Sequence, residues 1–307
     1  MNLHMHGNNF TLDQTNDYRP PMGTDPVPAF YSEMTQVATV EEYSGVTVSV
    51  VIPAMNEAAN LPHVLPQIPD WVHEVILVDG HSTDDTVAVA QRLRPDIRVV
   101  TQGGRGKGDA LRCGFSAATG DMIVMLDADG SMDPKEIPHY IGALLSGADF
   151  AKGTRFIQGG HTHDMSFIRY CGNLGLTWLV RLLFGGKYSD LCYGYNAFWR
   201  AVLPALALDA DGFEIETLMN VRALLSRCKI TEVASIEHER IHGMSNLHAL
   251  RDGWRVLKTI ITERLQGKVG AQPGWPRDTG TGALPYLKPM PVRVERYQAV
   301  SVQKRGA

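Results

Sequence analysis

Long apolar runs are absent from this chain of 307 residues, because its hydrophobic stretches end well short of the roughly 20 residues that cross a bilayer. The N-terminus also lacks the apolar segment that marks a secretory signal peptide. We therefore expect a cytoplasmic protein. If it meets a membrane, these absences indicate that it does so from the surface, on the cytoplasmic face.

Cysteine is scarce, and the four present have no metal-binding spacing: Cys113, Cys171, Cys192 and Cys228. This usage predicts reduced thiols in a cytosolic protein. A basic excess is missing too, since the formal net charge is −4, and this argues against general nucleic-acid binding. The sequence leaves the oligomeric state open.

The two ends of the chain differ in composition from the middle. Residues 1–44 are polar and contain four prolines, which predicts a disordered leader without chemistry. From residue 267 to residue 307, five prolines, several glycines and a basic excess predict a poorly ordered tail. Residues 45–266 should then form the folded domain.

Strand-length apolar runs alternate with helical patterns in the first half of this domain. The predicted strands are Val46–Ile52, Glu74–Asp79, Ile97–Thr101, Ile123–Leu126 and Asp149–Thr154. Short connections join each strand to a helical pattern. This alternation predicts an α/β fold with a doubly wound, mostly parallel sheet and helices on both faces.

After residue 154 the alternation stops, and a helical subregion is expected. We predict a polar loop at 155–166 and an irregular aromatic segment at 189–200. Helices are expected at 168–184, 213–225 and 247–265, and a strand at 230–236. The first helix combines Trp178 and other apolar residues with Arg169 and Arg181, which suits a helix in a membrane interface. Packing in the protein core is the alternative.

Two aspartates, Asp127 and Asp129, follow a strand that should be buried on both faces. Alternate residues of an extended segment point the same way, so both carboxylates can aim at one point. Such a pair suits Mg²⁺ or Mn²⁺ in an open site with substrate phosphates. A plain turn is the alternative. A calcium loop fails, because Ser131 and Met132 stand where an acidic ligand and a glycine are required.

Other polar loops should converge on these aspartates, because right-handed crossovers bring every strand-to-helix loop to one sheet edge. The loops carry Asn56, Glu57, Asp79 and Gly103–Gly108 with Lys107. Asp79 suits a nucleobase or ribose, and the glycine loop leads to a helix N-terminus that favours phosphate. The alternative for Asp79 and Glu57 is a structural role in a turn, and the alternative for the glycine loop is a flexible surface loop. The loop lacks the P-loop and Rossmann fingerprints, so a metal-held diphosphate leaving group is indicated.

Eight sequence blocks resemble, in order, the family 2 glycosyltransferases with the GT-A fold, and in particular dolichol- or polyprenyl-phosphate hexosyltransferases. The blocks are Val51–Glu57, Val78–Asp84, Gly106–Leu111, Leu126–Asp129, Gly153–Phe156, Asp190–Phe198, Gly212–Glu216 and Arg240–Leu247. They span residues 46 to about 265 and are more specific for fold and enzyme class than for the acceptor. The resemblance implies a nucleotide-sugar half, 45–154, and an acceptor half, 155–266.

The resemblance also implies a role for each matching residue. The donor would contact Pro53, Asn56, Glu57, Asp79, Lys107 and Asp127. The metal, Mg²⁺ or Mn²⁺, would bind Asp127 and Asp129. The acceptor phosphate would contact Arg155, Arg240, Ser245 and Asn246. The residues expected to act in catalysis are Asp129, Arg155 and Glu216, the last of which fits the acidic position of the acceptor-side helix better than Glu214.

The implied reaction is inverting transfer of a hexose from a GDP- or UDP-sugar to polyprenyl phosphate at a membrane surface. A phosphate monoester has a second pKa near ~6, so it is already anionic at neutral pH and needs alignment rather than a general base.

Departures from the family pattern keep two alternatives open. Asn196 and Asn246 stand where relatives often carry cations, and Gly80 replaces a common second aspartate. A soluble or glycan hydroxyl acceptor is one alternative, and it would need a general base from among Glu216, Glu214 and Asp190. A catalytically silent nucleotide-sugar-binding module is the other, and the Asp127/Asp129 pair argues against it.

Overall fold

A seven-stranded sheet forms the centre of the protein in this computed structural model, which describes residues 45–243 and 248–266. Its strands are β1 (Val48–Ala54), β2 (Glu74–Asp79), β3 (Arg98–Thr101), β4 (Met122–Met125), β5 (Phe150–Thr154), β7 (Asn196–Trp199) and β8 (Ile230–Ala234). Their spatial order is β3-β2-β1-β4-β7-β5-β8. Two short parallel strands, β6 (His161–Thr162) and β9 (Ile236–Glu237), pair separately. The predicted leader 1–44 and tail 267–307 lie outside the described residues.

The predicted α/β class and mostly parallel sheet are confirmed. β1 pairs in parallel with both β2 and β4, and β2 pairs in parallel with β3. Strands covered on both faces carry nearly continuous apolar runs, and every residue of Met122–Met125 is buried. The five strands predicted in residues 45–154 are all present, with ends shifted by at most two residues.

Strand β7 corrects one prediction. Residues 189–200 were expected to be irregular, but Asn196–Trp199 lies antiparallel between β4 and β5. Four residues without apolar alternation give too weak a pattern to predict a strand, and its stability comes from hydrogen bonding on both sides. The predicted strand 230–236 is interrupted at Ser235, so that its last residue belongs to β9.

The helices are α1 (Leu61–Val64), α2 (Thr86–Leu93), α3 (Lys107–Ala117), α4 (Ile137–Leu145), α5 (Phe167–Phe184), α6 (Leu203–Leu206), α7 (Glu214–Leu225) and α8 (Ala249–Leu265). Helices α5, α7 and α8 form the predicted helical subregion, around a small core that includes Val180, Val221 and Ile260. None of the helices in the described ranges has the length and apolar character needed to cross a bilayer.

Helix α3 approaches the sheet closely because Gly114 faces β1 and β2. A Cβ at Gly114 would lie 2.4 Å from a methyl carbon of Val51 and 2.8 Å from one of Val78. We predict that Gly114→Ala lowers the free energy of unfolding by about 1–3 kcal/mol through overpacking. Gly142 in α4 has no atom within 4 Å of its Cβ position. Gly142→Ala should therefore raise that free energy by up to about 1 kcal/mol.

Urea unfolding of the two variants and the wild type measures both changes. Equal effects of the two substitutions would contradict this account of the contact between α3 and the sheet.

Candidate functional site

A cavity of about 510 Å³ lies beyond the carboxyl ends of β1, β2 and β4. The predicted site residues that line it are Pro53, Glu57, Lys107, Asp127, Asp129, Glu216 and Arg240. They come from loops separated by up to 187 positions in sequence (240 − 53). The sheet topology therefore brings together the donor loops that sequence analysis expected to converge.

The residues that line the cavity do not include five others that were predicted, namely Asn56, Asp79, Arg155, Asp190 and Glu214. Asp79 is buried at the end of β2, where it accepts a hydrogen bond from the Ser82 backbone N–H (3.2 Å). The Asn56 amide oxygen accepts from the Thr83 N–H (2.7 Å), and Asn56 has a left-handed φ of 59°. Arg155 lies deeper in the protein, as described below, and Glu214 accepts from the Gly212 N–H. Ser245 and Asn246 lie outside the described residues.

Lys107 lies between two carboxylates that come from different elements of the fold. Its Nζ is 2.7 Å from Asp127 Oδ1 and 2.6 Å from Glu216 Oε1. Burial by itself would lower the pKa of Lys107, but the two carboxylates raise it above its usual value. Burial, together with the negative charges of Asp129 and Glu216, raises the pKa of Asp127 to about 6, although Lys107 opposes this rise.

The start of α3 is fixed by the segment before α7. The Asp211 carbonyl accepts from the N–H groups of Gly108 (2.8 Å) and Asp109 (3.3 Å). A Cβ at Gly106 would lie 2.3 Å from the same carbonyl oxygen, so glycine permits the close approach. These two helix-terminal donors are thus not free to bind the phosphate that sequence analysis expected there. The contact instead brings Lys107 beside Glu216.

A second ion-pair group joins the loops after β1 and β4. Arg240 donates to Glu57 Oε1 at 2.9 Å and lies 3.0 Å from Asp129 Oδ2. The other oxygen of Asp129 accepts from the hydroxyl of Ser131 (2.7 Å), and Asn60 donates to the second oxygen of Glu57 (2.5 Å). The carboxylates of Glu57 and Asp129 are therefore each held by Arg240 and by one further hydrogen bond.

The carboxylates that contact Lys107 and Arg240 carry more charge than those two cations. Four carboxylates, those of Glu57, Asp127, Asp129 and Glu216, face two cations, Lys107 and Arg240, which leaves two uncompensated negative charges. In the described residues no group of three or more histidine, cysteine or acidic side chains is arranged to hold a metal. Mg²⁺ is usually held by one or two carboxylates together with substrate phosphates. The residues present fit a cation that arrives with a phosphate ligand.

Arg155 forms a buried ion-pair network beneath the cavity. Its Nε and one terminal nitrogen donate to Asp190 at 2.7 and 2.9 Å, and the other terminal nitrogen donates to Glu237 at 2.9 Å. Burial would raise the pKa of Asp190, but Arg155 holds that pKa below its usual value. The guanidinium is occupied by these contacts, so its expected role as a phosphate ligand has no support from the geometry.

The far end of the cavity was not predicted, and it is lined by Arg169, His248, Arg251 and Arg255. They come from the N-terminal ends of α5 and α8. Arg251 and Arg255 are four residues apart, so a predicted helix already places them on one face. Nothing in the sequence pattern linked that face to the loops of the sheet.

A family model for glycosyl transferase family 2 matches residues 49–204, which is half of the chain. The chain belongs to glycosyl transferase family 2. Its matched region runs from β1 through β7 and so contains the loops that carry Glu57, Lys107, Asp127 and Asp129. This family 2 chain is accordingly an enzyme of the glycosyltransferase class.

Curated relatives support the same family. An uncharacterized glycosyltransferase of Mycobacterium tuberculosis is 31% identical over 224 residues, covering 70% of this chain and 99% of its own. A dolichol-phosphate mannosyltransferase of Pyrococcus furiosus is 30% identical over 226 residues, covering 69% of this chain and 64% of its own. A polyprenol monophosphomannose synthase of Mycolicibacterium smegmatis is 31% identical over 216 residues, covering 64% of this chain and 80% of its own.

A solved structure confirms the predicted GT-A fold. Glucosyl-3-phosphoglycerate synthase from Mycobacterium tuberculosis, in complex with Mn²⁺, UDP and glucosyl-3-phosphoglycerate, superposes with a TM-score of 0.61. The sequence identity is 24%, and the match covers 82% of this chain and 88% of that one. At this identity the likeness concerns the fold alone.

The buried network around Arg155 generates a stability prediction. Arg155→Met should lower the free energy of unfolding by about 3–5 kcal/mol, because Asp190 then remains buried without its cation. Arg98→Met is the control, since Arg98 lies 3.8 Å from Glu74 with half of its side chain exposed. The control should change stability by less than about 1 kcal/mol. Chemical denaturation measures both, and similar small losses would rule out an essential buried pair.

Proposed function

We propose that this family 2 glycosyltransferase transfers a hexose from a nucleotide-diphosphate sugar to a polyprenyl phosphate, with inversion at the anomeric carbon. The observation that carries the proposal is the division of one cavity into two chemically different ends. Carboxylates on the sheet loops line one end, and the three arginines of α5 and α8, with Asp164 beside Arg169, line the other. Relatives named for dolichol phosphate and polyprenol phosphate products favour the same acceptor class.

The sheet end is proposed as the donor site. Pro53, Asn56, Glu57 and Asp79 lie at the ends of β1 and β2, where open α/β sheets bind nucleotides. Asp127 and Asp129 are the proposed ligands of Mg²⁺ or Mn²⁺. When bound, the metal supplies Lewis-acid stabilisation of the departing diphosphate.

Lys107 and Arg240 hold the donor-site carboxylates in place. Lys107 fixes Asp127 at 2.7 Å, and Arg240 fixes Asp129 at 3.0 Å. A guanidinium has five N–H donors, so Arg240 retains donors beyond those used in its ion pairs. We propose that it also contacts the acceptor phosphate, together with Ser245 and Asn246. Arg155 is proposed to position Glu237, which lines the cavity.

The kind of acceptor decides which chemistry the residues of the cavity must supply. An anionic phosphate needs alignment and charge neutralisation, and cations at this end provide both. A hydroxyl acceptor would need a general base within reach. Of the three carboxylates considered for that role, Glu216 lines the cavity, where it pairs with Lys107, whereas Asp190 and Glu214 are not among the lining residues. Glu216 is therefore the residue through which a hydroxyl acceptor would react.

The metal-binding proposal predicts a specific loss of activity. Asp129→Asn should lower kcat for hexose transfer by about 10²- to 10³-fold, because the cation that would stabilise the leaving diphosphate loses one of its two proposed carboxylate ligands. Asp96→Asn is the matched control, since Asp96 is exposed and lies outside the cavity. Steady-state transfer from UDP- and GDP-sugars, measured across an Mn²⁺ titration, checks this. Wild-type turnover in Asp129→Asn would contradict a metal role for this residue.

The acceptor class has a test of its own. Labelled donor sugar is incubated with polyprenyl phosphate, with the dephosphorylated polyprenol and with soluble sugars, using wild type and Glu216→Gln. We expect transfer to the phosphate, because its oxygen is already ionised. Transfer to a hydroxyl acceptor that Glu216→Gln abolishes would establish the alternative reaction.

A further inference from the structure

Helices α5 and α8 each expose a long apolar stripe. On α5 the stripe consists of Phe167, Cys171, Leu174, Trp178 and Leu182, and on α8 of Leu250, Trp254, Ile261 and Leu265. The two tryptophans are 62% and 67% exposed. We call these two stripes together the α5–α8 face. Soluble monomers rarely expose apolar patches of this extent without using them.

The α5–α8 face is the outer side of a packed helix pair. The inner sides of the two helices meet in the small core, through Val180 of α5 and Val256 and Ile260 of α8. The stripe residues recur at intervals of three, four or seven, so they lie together on the side turned away from that core. Packing thus resolves the question that the sequence left open for α5: one side is core and the other is a free surface.

The exposed charges of α5 and α8 are all positive. Arg181, Arg251, Arg255, Lys258 and Arg264 are exposed. Helix α5 contains no acidic residue, and both acids of α8 are buried. Asp252 lies 3.3 Å from Arg251 and 3.5 Å from Arg255, and Glu263 pairs with Arg222 at 2.9 Å, so these helices still carry an excess of exposed cations. A chain of net charge −4 therefore presents a basic surface here.

The face is continuous with the cavity. Arg169, Arg251 and Arg255 line the cavity and belong to the same helices. Arg169 follows the exposed Phe167 and Ile168 in sequence, and Arg251 follows the exposed Leu250. A molecule resting on the face would consequently lie beside the cationic end of the cavity.

We infer that the α5–α8 face docks on a bilayer that contains acidic lipids, so that Arg251 and Arg255 meet a lipid-borne phosphate at the bilayer surface. This inference rests on the proposed function for the identity of the phosphate acceptor, whereas the docking itself does not. Tryptophan with neighbouring arginine and lysine is the composition of helices that lie in a membrane interface. Acidic headgroups complement the basic surface. A second copy is a poorer occupant, because a twofold contact through this face would bring like charges together.

Vesicle sedimentation tests the docking. The full chain is mixed with vesicles of phosphatidylcholine alone, or with added phosphatidylglycerol, in low and high salt. We expect binding to the acidic vesicles that weakens as salt rises. Lys258→Gln/Arg264→Gln should weaken it by about thirtyfold, at roughly 1 kcal/mol for each cation. Trp178→Gln/Trp254→Gln should weaken it by at least about tenfold through loss of the apolar insertion.

Matched controls separate docking from folding. Arg92→Gln/Leu93→Gln changes one exposed cation and one exposed apolar residue on α2, away from the face, and should bind vesicles like the wild type. Thermal unfolding and circular dichroism confirm that each variant is folded. Absence of wild-type binding to acidic vesicles, or equal binding by the Trp178→Gln/Trp254→Gln variant, would overturn the inference. A wild-type dimer that this variant converts to monomers, without vesicle binding, would assign the face to a second copy instead.

A comparison of two acceptors separates this inference from the proposed function. Trp178→Gln/Trp254→Gln should transfer sugar normally to a water-soluble, short-chain polyprenyl phosphate. The same variant should lose at least about tenfold in rate with a long-chain acceptor embedded in acidic vesicles. Equal loss on both acceptors would overturn the docking role. Wild-type inactivity on both acceptors, with vesicle binding intact, would refute the proposed function and leave the docking surface standing.

Discussion

The contact of Lys107 with both Asp127 and Glu216 is the constraint on which the site depends. One carboxylate follows a central strand of the sheet, and the other lies on a helix of the second half of the chain. Without the cation between them, the two negative charges would repel each other in a partly buried space. The Asp211 carbonyl in turn fixes the start of α3, so the backbone as well as the side chain sets the position of Lys107.

The sheet half of the fold could be predicted from sequence because each strand has its own local signal. Strands covered on both faces carry unbroken apolar runs, and turn residues mark their ends. The right-handed crossover then requires the loops with Glu57, Lys107 and Asp127 to meet. The convergence of the donor loops was therefore predictable from general rules before any coordinates.

Contacts within the site were not predictable in the same way. Arg155 and Arg240 carry the same side chain and were assigned the same role, yet one is buried against Asp190 and the other lies in the cavity. The difference depends on which carboxylates the tertiary structure places nearby, and no spacing rule encodes that. Strand β7 was missed for a related reason, since four residues gain their strand conformation from neighbours that are distant in sequence. Arg251 and Arg255 had a helical spacing, but no local pattern placed them at the cavity.

Strand β7 has a consequence for how this architecture can diversify. The chain leaves the sheet after β5, runs through α5, and returns antiparallel between β4 and β5. Residues 155–195 therefore form an excursion whose two ends are clamped to neighbouring positions in one sheet. Such a segment can change in length and composition while strands β1, β2 and β3 keep their register. Under the proposed function, a change of acceptor would call for substitutions in this segment and in α8, while the loops proposed to bind the sugar donor stay the same.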